Sequence, residues 1–239
     1  MTRFGILTFS ICGLDFGGHF KVRLGGQVRS AAMLLAVGVN LEGAREVLGV
    51  SVSLSEQEAH WRRFLQSLVQ RGLAGVALVI SDAHIGIPQA CRAVFGGVPW
   101  QRCQCHLQRN AQAYVPKQAM KREMAADIRA IFNAATRHDA ETLLAQAVKK
   151  YAPKAAKLAN WLETNIPEGL TVFSFPDTHR RLIRTTNSLE RLNRQIRRRS
   201  RVATLFPNEA SCLRLVTAVV MEISDECQTG RTYIRLDNL

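Results

Sequence analysis

Val76-Ala-Leu-Val-Ile80-Ser81-Asp82 is an apolar run closed by a serine and an aspartate, and the fold turns on how it is read. Five apolar residues without alternation fit a strand buried on both faces, the pattern of a parallel strand inside an α/β sheet. Gly86 to Ala93 reads as a following helix, and Pro99-Trp100-Gln-Arg-Cys103 as a last short strand. Upstream, Phe20–Arg23, Gly25-Gly26 and Val28–Val39 form a hairpin pattern in which a Gly-Gly turn joins a short strand to a longer apolar one. Asn40-Leu-Glu-Gly43 is a second turn and Arg45–Ser51 a third strand, which gives an antiparallel meander. Ser55-Glu-Gln-Glu58 matches a capping box, and the helix it opens puts Trp61, Phe64, Leu65 and Leu68 on one face before Gly72. A meander, a helix crossover, a buried strand, a helix and another strand is the order of an RNase H-like core, a mixed five-stranded sheet with helices.

Downstream the pattern changes. Residues 117–137 and 139–165 read as two helices, the second capped by Asp139 or a neighbour, with no strand signal between them. Leu170–Phe175 reads as a short extended piece ended by Pro176. Helices are expected again from Thr185-Thr-Asn187 through Arg199 and over Glu209–Glu226. The chain therefore divides into a first part of the core (1–114), an all-helical insertion (115–175) and a C-terminal helical part of the core (176–239).

With 47% apolar residues the chain can bury a core, so wholesale disorder is excluded. Its longest apolar runs, such as Ala31–Val39, fall short of the roughly 20 residues that span a bilayer. The opening Met1–Gly13 imitates a secretory signal, but the residues after it read as more core strand, not as a cleavage site. The 6 cysteines are too sparse for a disulfide scaffold and favour the cytoplasm. A formal charge of +13 points to a polyanionic partner, nucleic acid above all. The arginines concentrate between His179 and Arg201, at 180, 181, 184, 191, 194, 197, 198, 199 and 201. Arginine in place of lysine suits bidentate phosphate contacts.

Asp82 stands after a buried strand, where sites form in open α/β sheets, although a turn or cap aspartate occupies the same position. Glu190 lies on the helix of Leu189, Leu192 and Ile196; it is either an i,i+4 partner of Arg194 or one half of a carboxylate pair. Two facing carboxylates in a basic cleft would bind Mg²⁺ or Mn²⁺ through hard oxygen donors. Cys103-Gln-Cys105-His106, with His84 as a fourth donor, offers a zinc reading, but a second metal-binding pair at set spacing is missing. His106 reads otherwise as a core histidine or a polar active-site residue. Trp61, Trp100 and Trp161 read as core or interface anchors, with base stacking as the alternative for Trp161.

Val79-Ile-Ser-Asp-Ala-His-Ile-Gly86, Trp100-Gln-Arg-Cys-Gln-Cys-His-Leu-Gln-Arg-Asn110, Arg184-Thr-Thr-Asn-Ser-Leu-Glu-Arg-Leu-Asn193, Arg197-Arg-Arg-Ser-Arg-Val202 and Phe206-Pro-Asn208 closely resemble the Mutator-type family of bacterial insertion-sequence transposases. The resemblance runs from about Lys21 to Tyr233. It implies an RNase H-like fold with a helical insertion and a catalytic Asp, Asp, Glu triad, whose second Asp falls on Asp82 and whose Glu falls on Glu190. The family's Cys-x-x-His signature falls on Cys103 and His106. Two-metal phosphoryl transfer on DNA is the implied chemistry, with Mg²⁺ or Mn²⁺ held by Asp82, Glu190 and Asp15. Arg184, Arg191, Arg194, Arg197, Arg198, Arg199 and Arg201 would hold DNA, both element ends and target. A homo-oligomer in the cytoplasm, associated with the nucleoid and not with a membrane, is expected by the same analogy.

The sequence departs from the family at the first Asp. Leu14-Asp15 is followed by Phe-Gly-Gly-His-Phe-Lys-Val-Arg23, one residue longer than the family spacing. A one-residue slip sends a strand side chain to the opposite face unless a bulge absorbs it. Residues 1–20 do not follow the family pattern either, so the expectation is a truncated or frame-disrupted copy. Its activity is then either that of a transposase or that of a catalytically inactive DNA-binding remnant.

Overall fold

The computed structural model describes residues 2–12, 20–40, 42–53, 58–82, 86–228 and 233–234. In chain order it opens with β1 (Thr2–Cys12), β2 (Phe20–Leu24), β3 (Gln27–Asn40), β4 (Arg45–Ser53), α1 (Glu58–Gln70), β5 (Leu73–Ala74), β6 (Leu78–Ser81) and α2 (Gly86–Phe95). Gly25 and Gly26 both have positive φ, at 56° and 80°, which the tight turn between β2 and β3 demands. The hairpin register runs from Phe20 opposite Ala31 to Leu24 opposite Gln27. Beyond the hairpin, β3 pairs with β1 on one side and β4 on the other, both antiparallel. Lying between two strands and under helices, its residues from Ala31 to Val39 are buried without interruption.

β6 runs parallel to β1, with Ile6 opposite Leu78 and Thr8 opposite Ile80. The expected buried parallel strand is thus present, displaced to Leu78–Ser81. Among the described residues β4 pairs only with β3, and its ladder is bulged at Leu48, between the Gly49–Ala36 and Val47–Val37 pairs. The Leu48 carbonyl accepts a hydrogen bond from Arg71 Nη2 at 2.7 Å. α1 buries Trp61, Phe64, Leu65 and Leu68 as its spacing predicts. The anticipated capping serine lies outside the described residues.

The middle of the chain continues with β7 (Trp100–Arg102), α3 (Gln104–Ala111), a 3₁₀ turn at 112–114, α4 (Met120–Phe132), α5 (Arg137–Tyr151), α6 (Ala156–Asn165), 3₁₀ turns at 166–169 and 171–174, and α7 (Asp177–Ile183). The single helix expected over 139–165 is two helices. Pro153 lacks an N–H and its ring crowds the preceding turn, so α5 stops at Tyr151. Its start is a capping box one turn earlier than Asp139: Thr136 Oγ1 accepts from the Asp139 N–H at 3.1 Å, and the Thr136 N–H donates to Asp139 Oδ2 at 3.2 Å. The extended piece expected at Leu170–Phe175 is a 3₁₀ turn instead. Side-chain amides take over its backbone partners. Gln101 accepts from the Val172 N–H at 2.8 Å, and Gln101 and Gln104 both donate to Gly169 O.

α8 (Asn187–Ser200) and α9 (Glu209–Gln228) complete the chain. Leu189, Leu192 and Ile196 of α8, with Val216 and Val220 of α9, share one apolar core with Phe20, Val22, Met33 and Leu35. Between the two helices Phe206 lies along the outer edge of β2. Its N–H donates to Lys21 O at 2.8 Å and its carbonyl accepts from the Arg23 N–H at 2.9 Å.

The chain forms two compact units, one of residues 1–99 with 186–239 and one of residues 100–185. The helical unit is therefore wider than the 115–175 insertion expected. β7 and α3 belong to it because Gln101 and Gln104 hold Gly169, and α7 belongs because Arg180 donates to Ala135 O, just past the end of α4.

Candidate functional site

Asp82 follows the last residue of β6, where the buried strand delivers it to the carboxyl edge of the sheet. Ser81 is buried behind it, its hydroxyl donating to the Asp82 carbonyl at 2.9 Å. Glu190 sits in the first turn of α8, and its N–H donates to Thr186 O at 3.0 Å. β6 pairs with β1 and α8 contacts β1, so both carboxylates stand on elements that flank the same strand. Each has one carboxylate oxygen shielded from solvent. Carboxylate oxygens are hard donors, of the kind that suit a divalent cation of the Mg²⁺ type better than a soft metal.

Asp15 lies outside the described residues. Its flanks are informative: Cys12 pairs with Met33 and Phe20 with Ala31, so β3 has only Ala32 between the partners of residues that 13–19 separate in the sequence. Among the described residues, no group of three or more His, Cys, Asp or Glu side chains is gathered to hold a metal ion. His84, the fourth donor of the zinc reading, lies outside them too. Cys103 and His106 are buried on and before α3, in the helical unit, whereas Asp82 and Glu190 belong to the sheet unit.

α8 has two faces set by its sequence. Leu189, Leu192, Asn193, Ile196 and Ser200 are buried, while Arg191, Arg194, Arg198 and, just beyond the helix, Arg201 are exposed on the other side. From Arg191 to Arg201 this cationic stripe extends about 15 Å. Arg197 is half-buried. Arg199 has a different setting from its neighbours: it ion-pairs with Glu222 at 3.0 Å and Glu226 at 3.3 Å, tying α8 to α9. Arg184 ends α7 in the helical unit, with Nη1 donating to Asn133 Oδ1 at 2.7 Å.

Two polar residues beside Glu190 escape a reading that looks only for charge. Thr186 and Asn193 are both buried, one preceding Glu190 by a turn and one following it by a turn. Asn193 was detectable, since a polar residue on the stripe of Leu189, Leu192 and Ile196 is out of place unless it has work there. Trp61 is fully buried and Trp161 nearly so, the latter stacked on Tyr114 with centroids 5.5 Å apart and planes at 27°. Burial pushes the Cys91 thiol up to about 12, so it is no nucleophile at neutral pH.

The sheet unit thus bears one carboxylate at a strand's end and a second on a helix lined with arginines. Residues 7–230 match the family described as Transposase, Mutator family, and the chain belongs to that family. It is 54% identical over 217 residues to the transposase for insertion sequence element IS406 of Burkholderia multivorans, covering 91% of this chain and 56% of that protein. It is 38% identical over 219 residues to the transposase for ISRM5 of Rhizobium meliloti, covering 92% and 55%. Against the transposase for IS256 in transposon Tn4001 of Staphylococcus aureus it is 36% identical over 222 residues, covering 92% and 56%. The chain thus spans about half the length of the curated relatives it matches. Among its described residues no helix is long and apolar enough to cross a membrane.

Proposed function

We propose that this chain carries the catalytic region of a DDE-type transposase, which cleaves and joins DNA in the movement of an insertion sequence. The observation that carries the reading is α8, which bears Glu190 in its first turn, packs beside β1, and presents a stripe of arginines to solvent. The strand order β4-β3-β1-β6, with β1 and β6 parallel and the others antiparallel, supports an RNase H-like core around this pair.

Asp82 and Glu190, with Asp15 as the third ligand, would hold Mg²⁺ or Mn²⁺. Such ions supply activation of a water or 3′-hydroxyl and stabilisation of the leaving oxygen. The chain's own part is positional. β6 fixes Asp82 and the core contacts of Leu189, Leu192 and Ile196 fix the turn that carries Glu190. Arg191, Arg194, Arg198 and Arg201 neutralise backbone phosphates of element ends and target. The protein works as a homo-oligomer in the cytoplasm, on nucleoid DNA.

A second reading is favoured by the spacing around Asp15, where the sequence is one residue longer than the family pattern: an inactive remnant that binds DNA without cutting it. One experiment separates the two. Duplexes carrying insertion-sequence ends are incubated with the protein and Mg²⁺ or Mn²⁺. The transposase reading expects nicking or strand transfer that Asp82→Asn and Glu190→Gln lower by at least 100-fold, on the order of the effects of active-site carboxylates on rate. No cleavage by the unaltered protein, with salt-sensitive binding retained, establishes the remnant.

A further inference from the structure

Three of the large apolar side chains most open to solvent, Leu24, Val28 and Val202, sit at the β2–β3 turn and at the end of α8. Leu24 and Val28 flank the same turn, so these exposed apolar groups lie together at the hairpin's end and are not scattered singly. The tip itself is open: a Cβ added at Gly25 or Gly26 would meet nothing within 4 Å.

The register distributes cations over both faces of this hairpin. Phe20 and Val22 point into the core, so Lys21 and Arg23 between them point outward on the opposite face. Arg29 pairs across from Val22 and so shares its face, but it stands beyond the core and is exposed. Among the described residues no acidic side chain pairs with Lys21, Arg23 or Arg29; the one contact of Arg29 is to the Gln27 side chain at 3.4 Å. The ribbon is held stiffly. Phe206 takes the outer backbone groups of Lys21 and Arg23, and its ring meets Phe20 edge-on at 5.9 Å. Phe206 is only five residues past Arg201, which places the end of the arginine stripe within about 18 Å of β2 along the chain.

A two-stranded ribbon fits the DNA major groove, which is about 12 Å wide and walled by phosphates on both sides. We propose that the β2–β3 hairpin is a second DNA-contacting element, entering a groove tip-first, with Lys21 and Arg23 on one phosphate wall and Arg29 on the other. Leu24, on the face of Arg29, and Val28, on the face of Arg23, lie on opposite faces of the ribbon near its tip, where apolar side chains reach sugars and base methyl groups and exclude water. The inference rests on the DNA reading above and assigns that partner a further surface.

The test is a salt titration of binding to a fluorescein-labelled duplex, read by anisotropy on the full chain. The Lys21→Gln, Arg23→Gln, Arg29→Gln triple variant is compared with the unaltered protein and with Arg62→Gln, Arg92→Gln, which removes exposed cations on α1 and α2. Each lost phosphate contact lowers the slope of log affinity against log salt by about 0.9, so the triple variant is expected to lose between two and three slope units and the control none. All the replaced side chains are exposed, and an unchanged melting temperature confirms that the variants fold. A triple variant with the parental slope, while the unaltered protein binds with a steep one, overturns the hairpin assignment and leaves the DNA reading standing. Binding by the unaltered protein that ignores salt overturns both.

Discussion

The two units of the chain are built on opposite economies of sequence. The sheet unit is assembled from the two ends of the chain, and its core joins Phe20, Val22, Met33 and Leu35 to Leu192, Ile196 and Val216 across more than 150 residues. The helical unit is one continuous stretch held by contacts within itself. Thr136 and Asp139 cap α5, and Tyr151 and Lys150 both donate to Asp127 Oδ2 at 2.6 Å. Arg102, almost wholly buried, bonds Asn165 and Glu168. The contrast shows how two carboxylates distant in sequence come to stand in one unit, on elements that both contact β1. A unit whose contacts are internal separates Asp82 from Glu190, and the apolar face of α8 returns Glu190 to the sheet.

If the units draw on different interactions, substitutions in each should act on different transitions. Leu35 is fully buried in the core that both ends of the chain build, and Leu35→Ala is expected to destabilise the sheet unit by about 2–5 kcal/mol. Calorimetry or guanidinium unfolding of the full chain would register it as a shift of one transition only. Next comes Gly169, whose added Cβ would lie 2.6 Å from Leu107 Cδ1 and 3.1 Å from Phe132 Cε1. Gly169→Ala should lower the stability of the helical unit by about 1–3 kcal/mol and leave the sheet transition in place. The smallest effect expected is that of Thr136→Ala, about 1 kcal/mol from the lost cap, in the same transition as Gly169→Ala. A single transition moved by all three would break the comparison.

Legibility in the sequence followed the same division. The meander could be read because Gly25-Gly26 and the alternation in Phe20–Arg23 are local signals that the tertiary structure obeys. β1 was not legible, because the apolar residues of Thr2–Cys12 read equally as the start of a secretory signal and its partners lie far along the chain, on β3 and β6. In the helical unit the misses have individual causes. Pro153 divides a periodic run, and Gln101 and Gln104 turn an apolar segment into a 3₁₀ turn by hydrogen bonds from 65 residues or more away. The place of Asp82 after a buried strand was legible, and so was the helix that carries Glu190. The pairing of Arg199 with Glu222 and Glu226 was not, because it joins two helices whose relative placement no local pattern encodes.

The bulge at Leu48 has a bearing on how copies of this protein can meet. An uninterrupted outer strand offers its backbone to any other strand that passes and invites fibrous stacking. β4 breaks its own ladder at Leu48 and has that carbonyl already engaged by the Arg71 guanidinium, so an incoming strand would find neither a straight edge nor a vacant acceptor at its midpoint. Strand-to-strand pairing is therefore disfavoured at that edge, and crowding the protein at high concentration should not by itself draw sheets together along it.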